Sequence, residues 1–67
     1  MVDVTVNGER RSLQEGTTLN LLVGELGLEE KPVVCEVNIS IVSRKDWGTT
    51  VLSPGDVVEI IGFVGGG

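Results

Sequence analysis

The chain ends in Gly65-Gly66-Gly67, three residues without side chains that follow the apolar run at 57–64. The reactive group such an ending offers is its α-carboxyl. With a pKa near ~3.5 that group is an anion at neutral pH and a poor electrophile, so it must be activated before any nucleophile attacks it. Glycine lacks a β-carbon, so Gly66 and Gly67 are able to thread a narrow channel and take backbone angles closed to other residues. Extended from Gly62, the segment reaches about 20 Å, enough to enter another protein's active site. The competing reading is a frayed end with no role, since termini are commonly disordered.

Little else in the chain reacts. It has no His, a single Cys and no phosphate-cradling glycine motif ahead of a helix, so metal, nucleophilic and nucleotide chemistry have no residues of their own here and no metal site is expected. Any catalysis must come from partners. Alternation in Val33-Val34-Cys35-Glu36-Val37 puts Cys35 on one face with Val33 and Val37, as expected of a buried packing thiol. A lone cysteine excludes an internal disulfide and suits a reducing compartment.

The elements that must hold this terminus fit one domain, because 67 residues lie near the lower limit for a self-sufficient core. A hydrophobic fraction of 40% with one Phe, one Trp and no Tyr predicts an aliphatic, β-rich core. Ten acidic against five basic residues give a net charge of −5, which argues against nucleic-acid phosphates as partners. The acidity serves solubility, or docking on a basic surface. The start Met1-Val2-Asp3 lacks signal-peptide character and no apolar run approaches the ~18 residues of a membrane span, so a cytoplasmic protein with no membrane partner is expected.

Val2, Val4 and Val6 alternate with Asp3 and Thr5 as in a half-buried strand, and Asn7-Gly8 is a hairpin signal leading to a second strand at 9–13. Leu19, Leu22, Val23 and Leu26 recur at helical spacing behind a cap at Thr17 or Thr18. Gly27 suits the left-handed position after the helix, with Leu28 packing back, while Gly24 weakens it. After Pro32, residues 33–37 read as a third strand and Ile41-Val42 as a short apolar continuation. Ser43-Arg44-Lys45-Asp46 resembles a capping box for one helical turn, with Trp47 at its end covering an edge of the core or meeting a partner. Residues 49–52 predict a short strand and Ser53-Pro54-Gly55-Asp56 a tight turn. The final run at 57–64 predicts a central strand, covered on both faces or flanked by neighbours, set beside and parallel to the first. The fold class is therefore α+β, a mixed sheet of four to five strands packed on one helix, with a domain at 1–64 and a flexible tail at 65–67.

Val6-Asn7-Gly8-Glu9, the leucine helix from Leu19 to Leu28, Glu36-Val37-Asn38, Ile41-Val42-Ser43-Arg44-Lys45-Asp46-Trp47, the run from Leu52 to Ile61 and the closing Phe63-Val64-Gly65-Gly66-Gly67 together carry a resemblance to the ThiS family. These are small sulfur carriers of thiamine biosynthesis with a ubiquitin-like β-grasp fold. The resemblance spans nearly the whole chain. Its most specific parts are the terminal diglycine and Arg44-x-x-Trp47. Departures fall at Ile39-Ser40, where the family often has Gly-Glu, at Ser43, where Pro is frequent, and at Gly62, where a bulkier residue is usual. Ile39 is a poor turn residue if a positive φ is needed.

The resemblance implies a carrier rather than an enzyme. A ubiquitin-activating-like adenylyltransferase, using ATP and magnesium that this chain does not itself retain, would convert Gly67 to an acyl-adenylate. A persulfide sulfur donor would turn that into a thiocarboxylate, and thiazole synthase would take the sulfur. Gly67 then carries the sulfur, Gly65 and Gly66 give access, and Phe63 with Val64 supplies docking surface, a core position being the alternative for Phe63. Three rival readings are a carrier for molybdopterin or another sulfur product, a β-grasp binding module whose glycine tail is incidental, and a protein-conjugating modifier.

Overall fold

A computed structural model of the chain describes residues 1–62, and the tail expected at 65–67 lies outside them. Its elements run β1 (Val2–Val6), β2 (Glu9–Leu13), α1 (Leu19–Glu25), β3 (Val33–Val37), β4 (Ser40–Val42), a 3-10 helix (Arg44–Thr49) and β5 (Val57–Gly62). The five strands form one sheet in the order β2-β1-β5-β3-β4. β1 and β5 are parallel, as expected, and the other neighbours are antiparallel. The parallel pair is possible because α1 and the β3–β4 hairpin lie between its strands in sequence and supply the long crossover it requires.

Alternation in β1 sends Val2, Val4 and Val6 to the core, where they meet Leu19, Leu22 and Val23 of α1 together with Leu13, Cys35, Leu52, Val58 and Ile60. Thr18, not Thr17, is the N-cap, its hydroxyl accepting from the Leu21 N–H at 3.3 Å. The buried Thr17 hydroxyl instead donates to the Gln14 carbonyl at 2.6 Å. At the other end of α1, Gly27 takes a φ of 73° and the Leu28 N–H reaches back to the Val23 carbonyl at 3.0 Å, closing the helix as its sequence predicts.

Three expectations are corrected. Ile41-Val42 does not continue β3; it returns antiparallel as β4, with Glu36 opposite Ile41 and Cys35 opposite Val42. The two-residue turn between them, Asn38-Ile39, has positive φ at both positions (51° and 77°), the same pattern that Asn7-Gly8 shows at 49° and 85°. Such turns match the twist of a hairpin, and the absence of glycine hid this one. The strand expected at 49–52 shrinks to a single bridge between Thr18 and Val51, because the 3-10 helix runs on through Thr49. The Asp46 carbonyl accepts from both the Thr49 and Thr50 hydroxyls, at 3.2 and 2.7 Å, which holds the backbone in its turn.

No capping box forms at Ser43: its side chain makes no cap bond, and its carbonyl accepts the Asp46 N–H at 2.8 Å instead. Asp is one methylene shorter than the Glu of that motif and less able to reach back. The run at 57–64 takes the second of its two readings: β5 is flanked by β1 and β3 and covered on one face only. Val58 and Ile60 are buried, whereas Val57 and Ile61 are 44% and 48% exposed. One helix supplies one covering layer, whatever the apolarity of the strand.

Gly24 is exposed on α1, and a β-carbon built there meets nothing closer than the Glu29 carboxylate at 3.9 Å. Gly24→Ala is therefore predicted to raise the unfolding free energy by about 1 kcal/mol in urea titrations, through helix propensity alone.

Candidate functional site

The terminus is delivered by β5, so the geometry begins with what holds that strand. β1 pairs with it only as far as Val6 opposite Val58. Two residues on, the peptide groups of Ile60 that face β1 would have no strand to meet. The side chain of Asn7 takes that place: its Oδ1 accepts the Ile60 N–H at 2.7 Å and its Nδ2 donates to the Ile60 carbonyl at 3.3 Å. A carboxamide carries the same donor and acceptor as a peptide bond, so it extends the ladder by one rung. The turn that places it also needs a residue tolerant of positive φ, which Asn satisfies.

Asn38 does the corresponding work at the start of β5. Its backbone N–H donates to the Val57 carbonyl at 2.8 Å, its Oδ1 accepts the Val57 N–H at 2.9 Å, and its Nδ2 donates to Asp56 Oδ1 at 2.9 Å. The other oxygen of Asp56 accepts the Ser53 N–H at 2.8 Å, tying in the preceding turn. The two hairpin asparagines thus grip β5 near both ends. From the sequence Asn7 is legible only as a turn former, and Asn38 only as part of the family resemblance.

Gly62, the last described residue, pairs with Val33 and has room for a β-carbon, with the nearest atom of Val33 at 3.9 Å. The site residues expected beyond it, Phe63, Val64, Gly65, Gly66 and Gly67, lie outside the described residues. What the structure places is their point of departure, the end of a strand pinned by Asn7.

The sheet face opposite α1 surrounds that point. Its β1–β2 half is polar, with Thr5 opposite Arg10 and Asp3 opposite Ser12, whose hydroxyl donates to the Asp3 carboxylate at 2.7 Å. The β5–β3–β4 half carries Val34 opposite Ile61, Glu36 opposite both Glu59 and Ile41, and Val57. Two carboxylates directly opposite each other repel, and the residues ranged around them in the ladders are apolar. Neither glutamate stood out in the sequence, because only the register brings them together.

Arg44 and Trp47 build the support behind β4. The guanidinium donates to the carbonyls of Glu29 and Lys31, both at 2.8 Å, and stacks over the Trp47 ring with its carbon 4.2 Å from the centroid. Trp47 is buried at 2% exposure and its Nε1 donates to the Val42 carbonyl at 3.0 Å, so of its two expected roles it takes the core one. Cys35 is fully buried, as its alternation predicts. Burial pushes its thiol pKa up, and the charge of Arg44 acts in the opposite direction to a smaller extent. Among the described residues, no group of three or more His, Cys, Asp or Glu is arranged to hold a metal ion, and no helix is long and apolar enough to cross a membrane.

A small mixed sheet wrapped on one helix, with its last strand central and leading to the chain end, defines a ubiquitin-like β-grasp protein. The model of the ThiS family matches residues 4–67, and the chain belongs to that family. The crystal structure of the thiamine biosynthesis protein ThiS from Geobacter metallireducens superposes with a TM-score of 0.83 at 29% identity, covering 98% of this chain and 100% of that one. A thiazole synthase of Paramagnetospirillum magneticum is 36% identical over 96% of this chain, and one of Magnetococcus marinus is 39% identical over 96%. In both cases the chain spans only 20% of the relative's length.

Two predictions follow from these contacts. Asn7→Ala leaves the Ile60 peptide groups without partners and should lower the unfolding free energy by about 2 kcal/mol in denaturant titrations. The Cys35 thiol has a folded-state pKa raised above its ordinary value of 9.0, so its contribution is intact below that value and is lost as pH rises through the folded-state value. Stability should fall on the alkaline side with a steeper slope in the wild type than in Cys35→Ala, as read from melting curves between neutral and alkaline pH.

Proposed function

We propose that this chain is the sulfur carrier for thiazole formation in thiamine biosynthesis, with Gly67 as the group that is loaded. The observation that carries this reading is that the family match runs through residue 67, so the terminal glycines fall within the matched span. The thiazole synthase relatives support the thiamine branch over molybdopterin or another sulfur product, since the homologous region there shares a polypeptide with the synthase.

The chemistry follows from the carboxylate. A partner adenylyltransferase directs a Gly67 carboxylate oxygen onto the α-phosphorus of ATP; magnesium-bound pyrophosphate leaves, and the carbonyl carbon becomes electrophilic. The terminal sulfur of a persulfide donor attacks that carbon, and AMP leaves with the former carboxylate oxygen. A thiol then takes the donor's inner sulfur as a disulfide, releasing the thiocarboxylate. Thiazole synthase accepts the sulfur from it. In this reading Gly65 and Gly66 let the end enter each active site, and Phe63 with Val64 contacts the partner. This chain contributes presentation: a fixed strand end followed by glycines without side chains to obstruct entry.

The test is intact mass after incubation with ATP, magnesium, a persulfide donor and the adenylyltransferase of the same organism. The expected result is a gain equal to exchanging one oxygen for one sulfur, abolished by deletion of Gly67 with the melting temperature unchanged. A truncated chain that still gains sulfur, or a full chain that gains none beside a demonstrably active partner, overturns the reading.

A further inference from the structure

We propose that Asn7-Gly8 is a site of spontaneous chemical modification, at which the Asn7 carboxamide cyclises onto the Gly8 nitrogen with loss of ammonia. The grip of Asn7 on Ile60 holds the reaction back, and conversion to aspartate or isoaspartate loosens β5 beyond Val58. Nothing in this chemistry depends on the carrier reading.

Cyclisation needs a carboxamide followed by a backbone nitrogen that no side chain crowds. The chain has three asparagines, and the residues after them are Gly8, Leu21 and Ile39. Only Gly8 leaves its nitrogen open. The fold gives little freedom to change this pair. Gly8 takes a φ of 85° in the β1–β2 turn, where a β-carbon is strained although the space around it is empty. Asn7 stands at a φ of 49° and must offer Ile60 both a donor and an acceptor. The turn and the rung between them call for the pairing that cyclises most readily.

In the ring closure the Gly8 nitrogen gives its proton to hydroxide and forms a bond to the Asn7 side-chain carbonyl carbon. The bond from that carbon to Nδ2 breaks, and the departing nitrogen takes a proton from water and leaves as ammonia. Water then opens the five-membered imide. Opening at the side-chain carbonyl leaves aspartate; opening at the backbone carbonyl leaves isoaspartate, with an added methylene in the main chain. Water is the only co-reactant.

In the folded chain the carboxamide is not free to turn onto Gly8. Its Oδ1 accepts the Ile60 N–H at 2.7 Å and its Nδ2 donates to the Ile60 carbonyl at 3.3 Å, so cyclisation must wait for that rung to open. Conversion to aspartate leaves two acceptors and no donor, and one oxygen then faces the Ile60 carbonyl where Nδ2 stood. Isoaspartate goes further. Its carboxylate sits on a shorter arm, and its longer main chain disturbs the turn that sets Val6 opposite Glu9. The β3 side of β5 keeps its ladder through Gly62, while the β1 side beyond Val58 loses its one attachment.

The experiment incubates the full chain in mildly alkaline buffer, folded and in concentrated urea, and maps the products by peptide mass spectrometry that separates aspartate from isoaspartate. Conversion should be confined to Asn7, yield both products, and run at least about tenfold slower in the folded chain than in the unfolded one. Below the unfolding transition its rate should rise with urea in step with amide exchange at Ile60. In the isoaspartate form, separated by its added charge, the Ile60 amide should exchange at least about tenfold faster than that of Val58. Asn7→Asp, which reproduces the other product, should melt below the wild type. Conversion favouring Asn20 or Asn38, or equal rates in the folded and unfolded chains, overturns the proposal. So does an isoaspartate form in which Ile60 exchanges no faster than Val58, or an Asn7→Asp variant that melts as the wild type does.

Discussion

The carboxamide of Asn7 on the peptide groups of Ile60 is the contact on which the arrangement at the end of the chain depends. β1 ends too early to pair with the whole of β5, since its last partner is Val6 opposite Val58. Beyond that rung β5 would be bonded on the β3 side alone. One side chain, 53 residues away in sequence, supplies both missing hydrogen bonds and keeps the strand in the sheet up to its departure point. A central strand pinned in this way makes a stiff base for the segment that follows it. A base that frayed would add its own ordering cost to every docking event.

The remaining polar contacts serve the same geometry from further out. Asn38 and Asp56 fix where β5 begins, and Arg44 locks the 29–31 segment to the ring of Trp47. The Arg-x-x-Trp segment, among the most specific parts of the resemblance, thus serves architecture. The single helix accounts for the rest: it covers one sheet face with Leu19, Leu22 and Val23 and leaves the other bare.

Much of this was legible in local pattern. The valine alternation of β1, the Asn7-Gly8 turn, the leucine spacing of α1, its glycine stop and the parallel β1–β5 pair all follow from periodicity and turn chemistry. The misses share a cause. Asn38-Ile39 is a turn whose second residue contradicts the rule for its backbone angle, so in the sequence alone Ile41-Val42 reads as a continuation of β3. The threonine hydroxyls that prolong the 3-10 helix through Thr49 compete with the strand that β-propensity favoured. An apolar run does not record how many layers cover it, so the sequence leaves β5 either covered on both faces or merely flanked by neighbours, and the structure shows the second. The grip of Asn7 on Ile60 and the opposition of Glu36 to Glu59 are long-range and leave no local signature. The terminal glycines, conversely, were legible only in sequence.

The central claim is that β5 stays anchored up to the point where the terminal segment departs. Native-state amide hydrogen exchange at Ile60 tests it most directly. The account predicts that this amide exchanges only through global unfolding, with an opening free energy equal to that of core amides such as Val58. Rapid exchange at Ile60 while Val58 stays protected would show the strand end opening on its own and would contradict it.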